Sequence, residues 1–137
     1  MTISSPPCFT RFYGMPMDVV NEIRAGIPVT IVDEVAEFME LRLEMLADFL
    51  RFSRLELVTR IQAGGTLLPW ESGRLYWVAH AFKEAARVFE SEQCAVEWLR
   101  GRVMALGNIP PLSLLDSPAG YQLVLNTIGQ IEHGVCA

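Results

Sequence analysis

Apolar residues along this chain recur every three or four positions, the period of a helix that buries one face. Met17, Val20 and Ile23 predict a helix from Pro16 to Arg24 with those three inward and Gly26 ending it. Pro28-Val29-Thr30 opens a second helix, in which Thr30 and Asp33 approximate a capping box and Ile31, Val35, Phe38 and Met39 supply the buried face. Leu43, Leu46, Ala47 and Leu50 make a short apolar face that breaks at Arg51-Phe52. Ser53 with Glu56 is a capping box for the next helix, whose inward residues are Leu57, Val58 and Ile61 and whose stop is Gly64-Gly65. Short helix, tight break and capped short helix is the organisation of a helix-turn-helix.

A long helix is predicted from Pro69 to Phe89, with proline in its first turn and Glu71 complementing the positive end of the dipole. Leu75, Val78, Ala79, Phe82, Ala86 and Phe89 form one stripe, and Tyr76, Trp77, Ala81, Ala85 and Val88 widen it well beyond a single face. A helix apolar on two sides has two things to bury against. A homodimer contact through Trp77, Ala81 and Val88 is the expectation; a central core helix in a monomer is the alternative. Ser91 caps a further helix carrying Ala95, Trp98 and Leu99, with Arg100 and Arg102 near its end and Gly101 allowing the backbone to leave. Leu106 to Pro111 cannot be α-helix, because Gly107 and Asn108 tolerate positive φ and two prolines remove donors. Ser117 and Pro118 start the last helix, striped by Tyr121, Val124, Leu125, Ile128 and Ile131 and closed by Gly134. The fold class is all-α. Residues 1–14, with Ser4-Ser5-Pro6-Pro7 and no period, read as a mobile or loosely docked arm.

At 137 residues and 51% hydrophobic, the chain has the size and composition of one ordinary domain or two small helical units sharing a core. No apolar run is long enough to span a bilayer and the start lacks a signal-peptide pattern, so a cytoplasmic location without membrane contact is expected. Cys8, Cys94 and Cys136 and the two histidines complete no metal spacing, so no metal and no cofactor is implied. Nor is there a Ser/His/Asp or Cys/His grouping or a glycine-rich phosphate loop, so the chain does not read as an enzyme. A net charge of −5 disfavours general nucleic-acid binding and suits a partner with a cationic cleft.

The last third carries a resemblance. Val88, Phe89, Ser91, Ala95, Trp98, Leu99, Leu106, Gly107, Pro111, Leu112, Leu114, Leu115, Gly120, Ile131, Glu132 and Gly134, in that order over some fifty residues, resemble the toxin-binding domain of Xre/MbcA/ParS-type antitoxins. The helix-turn-helix region resembles that of the same family. Departures are Asn108 for a common glycine, Arg51 at a turn position where glycine is usual, Glu56 where threonine is common, and Leu68 for a capping serine.

The resemblance implies a helix-turn-helix domain over 15–84 and a toxin-binding domain over 85–137. It implies an antitoxin that neutralises a RES-domain, NAD-degrading toxin by blocking its active site, and that binds operator DNA at its own promoter as a repressor. DNA contacts are expected from Arg51, Ser53, Arg54, Thr59 and Arg60. Against this, four arginines face seven acids between Asp33 and Gln62, so a scaffold that has lost DNA contact is a second reading. Toxin contacts are expected from the outer face of the last helix, at Gln122, Asn126, Gly129, Gln130 and His133. Glu132, Gly134, Val135, Cys136 and Ala137 are expected to enter or cover the NAD pocket as a short anionic arm. The alternative function is a free-standing transcription regulator that dimerises through its C-terminal domain.

Overall fold

In the computed structural model, which describes residues 6–134, seven α-helices follow one another with no strand among the described residues. They are α1 (Pro16–Ala25), α2 (Thr30–Phe38), α3 (Leu43–Leu50), α4 (Arg54–Ala63), α5 (Pro69–Phe89), α6 (Glu92–Arg100) and α7 (Pro118–Glu132). Short 3-10 turns lie at Thr10–Phe12, Met104–Leu106 and Pro111–Leu114. The fold is all-α.

Helix α5 is the axis of the packing. It touches α6, α7, α1 and the first 3-10 turn, and Leu75, Val78, Ala79, Ala81, Phe82, Ala85 and Ala86 are all buried along it. Much of its apolar surplus is buried within one chain. Ala81 has no exposed surface, Trp77 stacks on Tyr121 of α7 with ring centroids 5.7 Å apart, and Val88 packs half-buried against the core. Ala81 is therefore closed to a second copy, whereas Trp77 and Val88 keep part of their surface open.

The stretch expected to be an arm is also packed, as far as it is described. Phe9 and Phe12 are buried, and Phe9 lies 5.6 Å from Phe38 and 5.5 Å from Phe82 between ring centroids. The Tyr13 hydroxyl donates to the Ala79 carbonyl at 2.6 Å, and a His80 ring nitrogen lies 3.0 Å from the Phe12 carbonyl oxygen. Two phenylalanines bring enough apolar area to dock a segment that has no helical period of its own. Division into units at 84/85 falls inside α5, and one apolar core holds residues from Phe9 to Ile128.

Smaller departures have local causes. On α1, Val19 is buried while Met17 is exposed, so the helix is turned from the predicted face. Helix α2 is preceded by Val29 in helical conformation and makes no side-chain cap, so Thr30 and Asp33 form no capping box. On α4 only Leu57 is buried, and Val58 is exposed because the helix lies at the surface.

In the C-terminal third, Asn108 adopts φ 61° in the loop where it replaces glycine. Gly120 is required for a different reason. A Cβ at that position would stand 1.8 Å from the Leu114 carbonyl oxygen, so the start of α7 can lie on the preceding turn only with glycine there.

Candidate functional site

Two surfaces carry the residues singled out by the sequence. The first is the pair α3–α4. Arg51 takes the left-handed conformation, φ 61°, in place of the usual glycine, and the Phe52 N–H donates back to the Ala47 carbonyl at 2.8 Å. The Ser53 hydroxyl accepts from the Glu56 N–H at 3.3 Å and starts α4. Sequence chemistry thus sets the break between α3 and α4: an αL stop at Arg51, one connecting residue, Phe52, and a cap at Ser53.

Its arginines are largely engaged with carboxylates of the same chain. Arg51 lies 3.4 Å from Asp116, just ahead of α7, and its side chain remains 74% exposed. Arg54 grips Asp48 of α3 with Nε, at 2.8 Å, and with Nη2. That fork lowers the Asp48 carboxyl pKa and raises the arginine's. Arg60 turns inward to Glu71 of α5 and also holds Glu56 at 3.0 Å; its side chain is only 22% exposed. The Thr59 hydroxyl donates to the Leu55 carbonyl of its own helix at 2.9 Å. Leu55 and Val58 stand exposed beside it. Of the five expected DNA contacts, Arg51, Ser53, Arg54 and Thr59 are at the surface, and Arg60 is drawn into a structural ion pair.

The second surface is the outer side of α7. The Ser117 hydroxyl accepts from the Gly120 N–H at 3.1 Å and Pro118 fills the first turn, as the sequence predicts. Gly120, Val124, Thr127 and Ile128 are buried, which leaves Gln122, Asn126, Gln130, Glu132 and His133 exposed. Gly129 lies half-exposed among them, and Gly134 follows with φ 78°. The Gln122 amide donates to Asn126 at 2.9 Å, so these two already lie side by side. Leu123, which the sequence reading passed over, is exposed on the same helix.

Glu132 is held by Arg87 of α5, which forks onto both carboxylate oxygens while its Nε donates to Glu84 at 2.9 Å. This bonding holds the Glu132 carboxyl below its ordinary pKa. The carboxylate is therefore tethered to the body of the protein, and not simply part of a free anionic arm. Val135, Cys136 and Ala137 lie outside the described residues.

Asp48, Glu71, Arg87 and Asp116 were not singled out as site residues, because a partner distant in sequence leaves no local pattern. Only Glu71 gave a sign: as the third residue of α5 its carboxylate accepts from the Leu68 N–H at 2.8 Å, half of a capping box that leucine cannot complete.

No helix among the described residues is long and apolar enough to cross a membrane, and one polar face of α7 is exposed on a tightly packed all-α core. Residues 84–134 match the antitoxin Xre/MbcA/ParS C-terminal toxin-binding domain. An antitoxin Xre of Photorhabdus laumondii is 30% identical over 121 residues, covering 85% of this chain and 78% of that protein. An antitoxin Xre of Yersinia enterocolitica is 27% identical over 133 residues, covering 91% and 88% respectively. This chain belongs to the Xre/MbcA/ParS-type antitoxin family, and its partner is a toxin.

Proposed function

We propose that this antitoxin neutralises a RES-domain toxin that degrades NAD, by laying the outer face of α7 and residues 132–137 over the toxin's NAD site. The observation that carries the reading is the division of α7. Its apolar side is inward, with Tyr121 stacked on Trp77 of α5 and Val124 and Ile128 buried in the core, and its amide-rich side, Gln122, Asn126 and Gln130, is exposed with His133. Amide side chains both donate and accept, which suits the mixed polar lining of a nucleotide pocket. An NAD pocket must also hold a pyrophosphate, for which arginine is the usual donor, and a chain of net charge −5 complements such a cleft. The test mixes toxin with the full chain or with a chain lacking residues 135–137 and follows NAD loss. Poor protection by a shortened chain that remains folded supports occlusion by the C-terminal end. Equal protection removes that end from the mechanism and leaves the helix face; if Asn126→Arg also protects fully, the whole reading fails.

Operator binding is the second proposal, favoured by the αL turn at Arg51 that joins α3 to a capped α4. Arg51 and Arg54 would bind phosphate in exchange for Asp116 and Asp48, with Ser53 and Thr59 beside them. Arg60 stays with Glu71. Arg54→Ala should weaken promoter binding across sequences and flatten the salt slope by about one unit. An unchanged slope returns α3–α4 to the role of scaffold.

A further inference from the structure

Helix α7 loses its anchorage before it ends. Thr127 and Ile128 are the last buried side chains, and from Gly129 to Gly134 every residue is at least partly exposed. A Cβ at Gly129 would meet nothing within 4 Å, so no neighbour packs over that position, and glycine weakens a helix interior. No basic residue occupies the last turn to complement the dipole, and past the helix the chain is closed by backbone bonds from the His133 N–H to the Gly129 carbonyl and from the Gly134 N–H to the Ile131 carbonyl. Such a turn frays unless something outside the helix holds it.

Among the described residues the side-chain tether is Arg87. Its terminal nitrogens take both oxygens of Glu132, 45 residues away in sequence, while its Nε is braced by Glu84 one turn earlier on α5. At the other end of the same contact Trp77 stacks on Tyr121, so α5 and α7 run in the same sense and α7 is fastened at both ends. A surface ion pair adds little to the stability of a whole domain. It has far more leverage over a terminal turn whose opening is nearly free.

We propose that Arg87 is a positioning residue for toxin binding. It keeps the last turn of α7 formed, and so holds Gln130, His133 and Gly134 where the toxin meets them. The inference rests on the proposed role of this end of α7. Apparent affinity falls with the fraction of molecules in the competent state, so loss of the tether should weaken toxin binding by about fivefold.

The experiment uses the full chain as Arg87→Ala, Glu132→Gln and the swap Arg87→Glu with Glu132→Arg, in which Glu84 and the new glutamate can both face the new arginine. Amide hydrogen exchange is read over residues 129–134, and affinity is measured with a purified RES-domain toxin that the wild-type chain binds. Both single changes should speed exchange in that turn and weaken binding by the same factor, with urea midpoints nearly unchanged, and the swap should restore both. If Glu132→Gln weakens binding while Arg87→Ala alters neither exchange nor affinity, Glu132 contacts the toxin itself and positioning is overturned. Faster exchange with undiminished affinity overturns it as well. Failure of the underlying reading looks different: Gln130→Glu and removal of residues 135–137 would then also leave binding intact.

Discussion

Arg60 of α4 donates through both terminal nitrogens to Glu71 of α5, at 2.6 and 3.1 Å, and the Glu71 side chain is 2% exposed. The two ends of this pair differ. The glutamate is buried, and it also accepts from the Leu68 N–H; the guanidinium reaches solvent and has Glu56 as a second partner. Removing the arginine strands a buried charge, whereas neutralising the carboxylate leaves the arginine solvated. Arg60→Ala should therefore cost about 3 kcal/mol and Glu71→Gln only about 1 kcal/mol. Adding Glu71→Gln to Arg60→Ala should recover part of the loss, as measured by urea denaturation.

Gly120→Ala tests the contact between α7 and the turn before it. A methyl group 1.8 Å from a backbone oxygen cannot be accommodated by a side-chain movement. The start of α7 must shift, at a cost of about 3 kcal/mol or more. Circular dichroism should show a lowered Tm, and toxin binding should fall with it.

Val88→Asp separates internal packing from dimer packing. Val88 lies half-buried against this chain's own core, so a carboxylate there meets apolar neighbours within the same molecule. The outcome is loss of stability, about 2 kcal/mol, together with increased exposure to protease. A fully stable monomer arising from a dimer would instead show that this face meets a second copy.

Cys8 gives a pH-dependent signal. Burial, and secondarily the charge of Glu34, raises its thiol from 9.0 to about 11. Since the folded value lies above the unfolded one, this group's contribution to stability is present below pH 9 and is lost as pH rises through 11. In a chain carrying Cys94→Ser and Cys136→Ser, Cys8 should react with a disulfide reagent at pH 8 at least tenfold more slowly than in the urea-unfolded chain. Equal rates would mean that residues 6–14 leave the core readily.

Helix boundaries set by local chemistry were legible. Ser53, Ser91 and Ser117 cap the helices they were read to cap, and Pro69–Phe89 has the predicted limits. Which face turned inward was harder on weakly patterned helices: α1 buries Val19 and exposes Met17, because tertiary neighbours choose between adjacent apolar residues. The fate of the arginines was not legible at all. Arg87 meets Glu132 across 45 positions, and Arg60 meets Glu71 across the Gly64-Gly65 turn, distances over which periodicity carries no information. The outer face of α7 was readable because Val124 and Ile128 announce the inner one.

Helix α5 bears on how such a molecule can be taken apart. Its buried residues belong to one core that holds Phe9 near one end of the chain and Ile128 near the other, and no loop separates the α3–α4 surface from the α7 surface at that point. A protease that cuts α5 therefore cannot release an intact toxin-binding domain and leave an intact α1–α4 behind. Either the core withstands attack, or it opens and both surfaces are lost in one event. Turnover then acts as a single step: both surfaces go together, at the rate at which one core opens.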